Sequence, residues 1–271
     1  MPSEGMKPTA AQGPEVHPTA IVHPEAELGR NVTIGPYSVI GPRVSIGEGT
    51  EVMSHVTIQG PTVIGRRNRF FPYGSIGQDP QDKKFEVGEP SSLEIGDDNV
   101  IREFVTLNRG TGEGGGVTRI GDENWIMAYC HVAHDCRVGN EAILANNATL
   151  GGHVSVADRV YLGGFTAIHQ FCSIGELTMT GGHTMIAQDV PPYVIAVGNR
   201  ASLYGINRIG LERAGLARNE ITALQQAYKI FFRKGYTAAE ALKAIEAEQG
   251  HSPHVMNFVA FIRASTRGIV R

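Results

Sequence analysis

Histidines gather around one segment of this sequence, residues 131–136, which have the sequence HVAHDC. Histidine is the side chain whose ordinary pKa, about 6.5, suits general-base catalysis near neutral pH. The carboxylate of Asp135 follows His134 directly, and it could orient the imidazole and stabilise it after it takes up a proton. His153 and His169 occur further along. If the fold brings these positions together, they could catalyse acyl transfer.

An aliphatic residue recurs at every sixth position along most of the chain, and this period predicts the structure in which these side chains lie. Helices repeat every 3.6 residues and strands every two, so neither explains it. A fixed short repeat whose units pack on one another is typical of a solenoid. The pattern of an aliphatic residue followed by glycine resembles the hexapeptide of the left-handed parallel β-helix acyltransferases. The aliphatic positions are Val22, Leu28, Ile34, Ile40, Ile46, Val52, Ile58, Ile64, Phe70, Ile76, Ile95, Ile101, Leu107, Ile120, Ile126, Val132, Val138, Leu144, Leu150, Val156, Leu162, Ile168, Ile174 and Ile186, and Thr180 interrupts the series.

Three hexapeptides make one triangular coil, so residues eighteen apart stack about one strand spacing, roughly 4.8 Å, from each other. The pattern predicts about eight coils by this spacing. It stacks Gly152 on His134 and His153 on Asp135, and it predicts one edge formed by His134, Asp135, Gly152, His153, His169 and Gln170. The Gly152 N–H could stabilise a developing oxyanion. Because no Ser or Cys nucleophile is indicated, direct attack by an acceptor hydroxyl deprotonated by His134 is the more economical route.

The period also divides the chain into parts. We expect a flexible N-terminus over 1–15 and an all-β left-handed parallel β-helix over 16–192. Two loops, 78–92 and 108–119, leave the helix and are candidates for a binding surface. Beyond Pro192 the apolar spacing becomes helical, with stripes around Leu224 and Phe258, which predicts a C-terminal α-helical domain over 193–271.

The composition limits which partners and which cellular compartment we expect for this protein. The net charge is −3, yet residues 194–271 hold eleven Lys and Arg against five Glu and no Asp. This asymmetry suggests an acidic partner for the C-terminal part. We expect no nucleic acid as partner, because no binding motif or aromatic run accompanies the basic residues. Three cysteines without a CxxC pair suit a reducing compartment, and no signal peptide or transmembrane stretch is apparent, so a cytoplasmic location is expected.

Several longer motifs make the likeness more specific. They are IRE at 101–103, NRGT at 108–111, HVAHDC at 131–136, LANNATL at 144–150, HQFC at 169–172, QDVPPY at 188–193 and STRG at 265–268. Together they resemble the UDP-N-acetylglucosamine acyltransferase family over nearly the whole chain. The resemblance implies transfer of a 3-hydroxyacyl chain from acyl carrier protein to the glucosamine 3-hydroxyl of UDP-N-acetylglucosamine, the first step of lipid A biosynthesis.

The resemblance also implies roles for particular positions. His134 matches the general base, Asp135 its support and Gly152 the oxyanion donor. Substrate-binding positions match Asp82, Lys84, His131, His153, Gln170, Asn207 and Arg213, and His169 joins them on the same edge. It implies a homotrimer without cofactor, metal or membrane insertion, in which the basic C-terminal part receives the acidic carrier protein.

Acyl-chain length should depend on Gly182, with Met179 nearby, because the matching family position limits the depth of the acyl groove. Glycine leaves the groove open and predicts a longer chain of the myristoyl class. Two positions depart from the family pattern: Arg200 stands where histidine is usual, and Ile209 where an acidic nucleotide contact is expected. Contacts to the nucleotide therefore differ in detail.

Other functions fit parts of the sequence. A related UDP-sugar with an amine at position 3 would give an amide. The next acyltransferase of the pathway, which N-acylates its sugar, normally carries an extra N-terminal domain, for which this repeat leaves no room. A solenoid scaffold that only binds a carrier protein would not need the histidine edge. A zinc site made of His131, His134 and His153, as in the gamma carbonic anhydrases, is the metal-dependent alternative.

Overall fold

The computed structural model describes residues 13–271, in which short strands precede four helices. The first strands are β1 (Glu15–Val16), β2 (Ile21–Val22), β3 (Glu27–Leu28), β4 (Thr33–Ile34), β5 (Val39–Ile40), β6 (Val44–Ile46), β7 (Glu51–Val52), β8 (Thr57–Ile58), β9 (Thr62–Ile64), β10 (Arg69–Phe70), β11 (Ser75–Gln78), β12 (Ser92–Ile95), β13 (Val100–Ile101) and β14 (Thr106–Asn108). The others are β15 (Val117–Ile120), β16 (Trp125–Ile126), β17 (His131–Val132), β18 (Arg137–Val138), β19 (Ile143–Leu144), β20 (Thr149–Leu150), β21 (Ser155–Val156), β22 (Tyr161–Leu162), β23 (Ala167–Ile168), β24 (Ser173–Ile174), β25 (Met179–Thr180), β26 (Met185–Ile186), β27 (Val194–Val197) and β28 (Ser202–Ile206). The segment 1–12, most of the predicted flexible N-terminus, lies outside the described residues.

Successive strands join three different sheets in turn, so that three strands complete one coil. Sheet A begins with β1, β4 and β7, sheet B with β2, β5 and β8, and sheet C with β3, β6 and β9. Neighbouring coils pair in parallel at a separation of eighteen residues where no loop intervenes, as in His131 with Thr149. Sheets B and C contain nine and eight described strands, close to the predicted number of coils. The parallel β-helix predicted from the period is confirmed.

The aliphatic residue of each hexapeptide points into the prism. Val132, Leu144 and Leu150 are each fully buried, and burying such a side chain contributes about 1.5–3 kcal/mol. Thr180 occupies one inward position and is also fully buried. Its hydroxyl lies 2.7 Å from that of Thr166 and accepts the Gly163 N–H at 2.9 Å, so the polar group that interrupts the period is satisfied.

Close approach between coils explains glycine after the inward residue. A Cβ at Gly139 would lie 2.9 Å from the Asp158 backbone nitrogen in the next coil. The left-handed backbone conformation of the corners occurs elsewhere, at residues with side chains such as Asp135 (φ 59°) and His153 (φ 62°). Such positive φ values are uncommon outside glycine. At each corner, therefore, the residue that lies close to the next coil and the residue that adopts the positive φ are two different residues.

The C-terminal part is helical. Its elements are α1 (Arg208–Arg213), α2 (Arg218–Arg233), α3 (Ala238–Gln249) and α4 (Pro253–Ala264). Helix α2 packs against α3 and α4, burying the predicted stripes around Leu224 and Phe258. Between coils and helices, β27 extends sheet A in parallel and β28 pairs with it antiparallel, so sheet structure continues beyond residue 192. Within the described residues, none of the helices has the length and apolar character to cross a bilayer.

The last residues of the chain return to the β-helix. The buried carboxylate of Asp189 accepts the Ser173 N–H at 2.8 Å and the Ser265 hydroxyl at 2.6 Å. The Asp189 N–H donates to the carbonyl of Gly268 at 2.9 Å, and the Val270 N–H donates to the Asp189 carbonyl at 3.0 Å. We call residues 265–270 the C-terminal tail. These bonds attach it to the last coil.

Candidate active site

His134 and Asp135 lie at the corner between strand β17 of sheet B and strand β18 of sheet C. His134 Nδ1 is 2.8 Å from Asp135 Oδ2. A carboxylate only accepts hydrogen bonds, so Nδ1 carries the hydrogen and Nε2 keeps the basic lone pair. Within the described residues, Nε2 has no hydrogen-bond partner. The pair is thus arranged for His134 to accept a proton at Nε2.

The loop 108–119 covers Asp135. Thr111 donates its N–H to Oδ1 at 3.0 Å and its hydroxyl to Oδ2 at 2.7 Å. Thr118 accepts the Asp135 N–H at 2.8 Å. A Cβ at Gly114 would overlap the carboxylate, so the glycine run allows the loop to close over it. The Asp135 side chain is consequently only 1% exposed.

Gly152 stacks directly on His134. A Cβ here would lie 2.6 Å from His134 Cε1 and 2.7 Å from Nε2. The Gly152 N–H donates no hydrogen bond to any residue in the described range 13–271. A free donor therefore lies beside the basic nitrogen, as required to stabilise an oxyanion that forms next to His134.

His153 occupies the next level of the same edge. Its ring meets the His134 ring edge-on, with centroids 5.1 Å apart, and stacks on Phe171 at 4.4 Å. Burial lowers the pKa of His153, and the charge of His134 lowers it further, whereas the carboxylates of Asp135 and Asp82 act in the opposite direction. His153 is therefore held neutral beside the dyad at neutral pH, and Asp82 is close enough to influence it.

His131 lies on strand β17, just before the corner. Its Nδ1 is 2.7 Å from the hydroxyl of Thr106. Burial lowers the pKa of His131, and the neighbouring His134 adds to the shift. A neutral imidazole with one nitrogen occupied by a hydroxyl can still use the other nitrogen toward a polar ligand.

The two loops meet above this edge and enclose a cavity of about 260 Å³. Asp82 and Lys84 line it on one side, and Thr111 and Glu113 on the other. Arg109 fastens the loop bases together by donating to the Gly60 carbonyl at 2.7 Å and forming an ion pair with Asp79. The structure thus places Asp82 and Lys84, two predicted substrate-binding residues, beside the loop that covers Asp135.

His169 and Gln170 lie on the same edge, two coils beyond His134, and both are exposed. Neither contacts the His134–Asp135 pair in the described part of the chain. Instead, His169 Nδ1 lies 3.3 Å from Nη2 of Arg267, which the C-terminal tail supplies. The predicted edge is therefore continuous, but only its first half surrounds the candidate base.

Asn207, Arg213 and Met179 lie elsewhere, in a groove of about 720 Å³ between sheet A and helix α1. Asn207 caps α1: its Oδ1 accepts the Gly210 N–H at 3.1 Å and its Nδ2 donates to the Leu177 carbonyl at 2.9 Å. Ile209, 64% exposed, forms part of the wall where an acidic contact was expected. Sheet A faces away from the corner that holds His134.

Gly182 is exposed at the corner between sheets A and B. A Cβ there would meet only the Gly164 carbonyl, at 3.5 Å, so the space beside it is open. Gly182 is not among the residues that line the groove containing Met179.

Sequence reasoning missed three contributors to the site: Thr111, Thr106 and Arg267. Thr111 bonds Asp135 and Thr106 bonds His131. Because the loops interrupt the eighteen-residue spacing, the period did not predict either pair. The eighteen-residue spacing does place Phe171 in the column of His153, and the two rings stack there. Arg267 is reached only through tertiary folding of the tail.

Three side chains at this corner could offer ligand atoms to a metal ion. Ligand atoms of His134, Asp135 and His153 lie within 4.8 Å of one another. However, both carboxylate oxygens of Asp135 already accept hydrogen bonds from Thr111. Nδ1 of His134 also bonds this carboxylate. The residues are therefore already paired in the way that a base and its orienting carboxylate require.

A parallel β-helix of hexapeptides with a histidine–carboxylate pair at one corner, beside a backbone N–H that has no partner in the described chain, suits an acyltransferase. The sequence profile of UDP-N-acetylglucosamine O-acyltransferase domain 2 matches residues 189–270, and the bacterial transferase hexapeptide profile matches 118–152. The chain belongs to the UDP-N-acetylglucosamine O-acyltransferase family.

Solved structures support this assignment over nearly the whole chain. LpxA from Acinetobacter baumannii is 45% identical, with 94% of this chain and 99% of that one covered and a TM-score of 0.92. The Francisella novicida UDP-N-acetylglucosamine acyltransferase is 40% identical, with 94% of each chain covered and a TM-score of 0.92. The Arabidopsis enzyme is 35% identical, with 94% and 100% covered and a TM-score of 0.84.

Proposed function

We propose that this enzyme transfers a 3-hydroxyacyl chain from acyl carrier protein to the glucosamine 3-hydroxyl of UDP-N-acetylglucosamine, the first step of lipid A biosynthesis. Membership of the family supports the substrates. The observation that carries the chemistry is the His134–Asp135 pair, whose free Nε2 lies beside Gly152, a residue whose N–H has no hydrogen-bond partner among residues 13–271.

In the proposed mechanism, Nε2 of His134 removes the proton from the sugar hydroxyl as its oxygen attacks the thioester carbonyl. Asp135 stabilises the imidazolium through Nδ1–H. The carbonyl oxygen becomes an oxyanion that accepts the Gly152 N–H. When this intermediate collapses, the carbon–sulfur bond breaks and the imidazolium returns its proton to the leaving thiolate. A new ester and a free thiol result.

An acyl-enzyme is not needed for this reaction, and the cysteines are poorly suited to form one. Cys130, Cys136 and Cys172 are all buried. Burial raises the pKa of Cys136, beside Asp135, to about 12. Since the thiolate is the nucleophilic form of cysteine, a thiol with so high a pKa is a poor nucleophile near neutral pH.

The nucleotide is proposed to bind at Arg213 and Asn207, with Arg213 contacting phosphate through its planar guanidinium. Within one chain, this groove on sheet A faces away from the His134 corner. A sugar nucleotide bound in this groove would therefore point away from His134 of the same chain. A neighbouring copy that places its sheet A against this corner would complete the site, which supports the proposed homotrimer with cyclic symmetry.

Asp82 and Lys84 are proposed to contact the sugar, since they line the cavity beside the catalytic edge. His131, His153, His169 and Gln170 are proposed to border the substrates along that edge. For chain length, the open space beside Gly182 supports a long acyl chain of the myristoyl class, with Met179 nearby. Replacing Gly182 with Met should shift donor preference toward shorter chains, and an unchanged preference would exclude this role.

We also propose a left-handed helix, as in the hexapeptide acyltransferases that the repeat resembles. The division into 16–192 and 193–271 is kept as a proposal, with β27 and β28 forming the junction. A cytoplasmic location, without stable membrane insertion, nucleic-acid binding or a cofactor, is proposed from the substrates and from the composition.

Steady-state kinetics of the His134→Ala variant test the proposed base. Removal of a general base should lower kcat by about 10²–10⁴-fold with little change in KM. His251, exposed in the turn between α3 and α4, provides a matched histidine control whose replacement should not change the rate. Wild-type kcat in His134→Ala would exclude His134 as the base, whereas absence of turnover in the wild type would favour a scaffold function.

A further inference from the structure

The C-terminal tail places Arg267 on the edge that carries the proposed base. Its backbone is held independently of this side chain by Asp189, which bonds Ser265, Gly268 and Val270. In the described part of the chain, the Arg267 side chain makes long contacts through Nη2, to the Ala187 carbonyl at 3.4 Å and to His169 Nδ1 at 3.3 Å, and it also interacts with the Cys172 thiol. The guanidinium is therefore positioned by the tail but is not needed to attach it.

The positive charge of Arg267 is not neutralised within the described residues. No carboxylate lies within ion-pair distance of it there. Its Nε is buried and has no hydrogen-bond partner in this part of the chain. The charge is strong enough at this corner to oppose the effect of burial, which raises the pKa of the Cys172 thiol. A half-buried arginine with donors left over is suited to receive an anion.

The number of coils between Arg267 and His134 suggests which anion Arg267 binds. Ala133, Gly151, His169 and Ala187 stack in one column, and Arg267 contacts its last two members. Two coils separate His169 from the level of His134, or about 10 Å at the usual strand spacing. Gly152, the proposed oxyanion donor, lies one coil from His134 on the side toward Arg267.

The two substrates therefore approach from opposite directions. The loops that carry Asp82 and Thr111 emerge from earlier coils and cover the edge on the N-terminal side. The acyl carbonyl must lie at Gly152, and the basic helical part is at the C-terminal end, where a carrier protein would dock. The donor consequently extends from Gly152 past His169 toward Arg267.

We propose that Arg267 binds the phosphodiester of the phosphopantetheine arm that joins the acyl thioester to the carrier protein. This inference rests on the proposed function. Between thioester and phosphate, the arm has two amide units with their flanking carbons, comparable to about four residues, or roughly 14 Å when extended. That length spans the distance from the thioester position to the tail. The arginine fork matches two phosphate oxygens.

The test compares three donors that share one 3-hydroxyacyl group: the acyl carrier protein, acyl-phosphopantetheine and acyl-pantetheine, which lacks the phosphate. The Arg267→Met variant should lose about ten- to a hundredfold in kcat/KM with both phosphorylated donors, the effect of one charged hydrogen-bonded contact. With acyl-pantetheine the loss should be less than twofold. Arg267→Lys keeps the charge but not the planar guanidinium. With the phosphorylated donors, its kcat/KM should lie between those of the wild type and Arg267→Met.

Arg263→Met is the matched control, because Arg263 pairs with Glu246 on the helices and is exposed. It should behave as the wild type with all three donors. Equal loss of Arg267→Met with all donors, or no loss with any, would overturn the proposal. A raised KM for UDP-N-acetylglucosamine alone would also overturn it and assign Arg267 to the diphosphate. If the wild type transferred no acyl group from any donor, the proposed function itself would fail.

Discussion

A methyl group at Gly152 would occupy the space of the His134 ring. The substitution Gly152→Ala forces that ring to move, since the added carbon would lie 2.6 Å from Cε1. We expect kcat to fall by at least about a hundredfold, because the base and the oxyanion donor lose their alignment. Stability should change little, since the corner is not a left-handed position that requires glycine.

Gly164→Ala is the matched control for this substitution. Gly164 occupies the corresponding place at another corner, where an added Cβ would meet only the Asn146 carbonyl, at 3.4 Å. Its kcat should remain within a fewfold of the wild-type value. Equal kcat for the two variants would show that contact between Gly152 and His134 is not important for the reaction.

His131 should make stability depend on pH. Its pKa is lowered in the folded protein, from the ordinary 6.5, mainly by burial. Below pH 6.5 the unfolded chain therefore binds a proton that the folded chain excludes, and the free energy of unfolding falls as the pH decreases toward the folded pKa. His131→Gln removes this proton uptake, so urea midpoints at pH 7.5 and 5.5 should differ less in the variant. An equal or larger difference would contradict this assignment.

For single residues, the sequence predicted which side chains stack on each other better than it predicted which loop residues contact them. The eighteen-residue spacing correctly stacked Gly152 on His134 and His153 on Asp135. It did not predict that Asp135 is buried, because Thr111 reaches it from a loop of irregular length. Periodicity specifies neighbours within regular coils, whereas contacts from loops depend on tertiary folding.

Among the elements, the C-terminal tail depends on a single buried carboxylate. Asp189→Ala would leave the Ser173 N–H and the Ser265 hydroxyl without their acceptor. Leaving buried donors unpaired should lower the free energy of unfolding by about 3 kcal/mol. Hydrogen exchange at the Val270 amide, which bonds the Asp189 backbone, should also accelerate as the tail detaches.

Glu212→Ala offers the comparison for an exposed ion pair. It removes the Arg208–Glu212 contact at 2.9 Å between side chains that are 72% and 48% exposed. Such pairs contribute about 0.5 kcal/mol or less. If Asp189→Ala were no more destabilising than Glu212→Ala, the tail would be held by other contacts.

The elements themselves were largely predictable, for different reasons. The six-residue period specifies the coils, and the apolar stripes of α2 and α4 follow helical spacing. The tail was not predictable, although its STRG motif was recognised, because residues 265–268 bond a carboxylate that is distant in sequence. Strands β27 and β28 also lack the hexapeptide pattern, since they extend beyond the regular coils.

At the scale of the whole molecule, one active site should require two chains. His134 lies at the corner of sheets B and C, whereas Arg213 lies over sheet A. Chains carrying His134→Ala and chains carrying Arg213→Ala should each be impaired alone. In cyclic trimers that contain both kinds of chain, about a third of the sites would receive the intact His134 from one chain and the intact Arg213 from its neighbour.

Differently tagged chains can be co-expressed and the mixed oligomers purified by both tags in succession. Because such trimers always contain one restored site in three, their activity at limiting UDP-N-acetylglucosamine should reach roughly a third of the wild-type value, well above either parent. A control mixture of His134→Ala with Gly152→Ala should not regain activity, since both positions lie on the same edge of one chain. Activity no higher than that of the parents in the first mixture would place each site within a single chain.

The most direct measurement is mass spectrometry of the products formed from UDP-N-acetylglucosamine and a mixture of 3-hydroxyacyl carrier proteins, with wild type and His134→Ala side by side. We predict one dominant acylated UDP-sugar, bearing a long 3-hydroxyacyl chain as an ester, no acylated protein, and almost complete loss of product in the variant. An acylated protein chain, or the same yield from His134→Ala, would contradict direct transfer by a histidine base. No product from the wild type would contradict the acyltransferase function with these substrates.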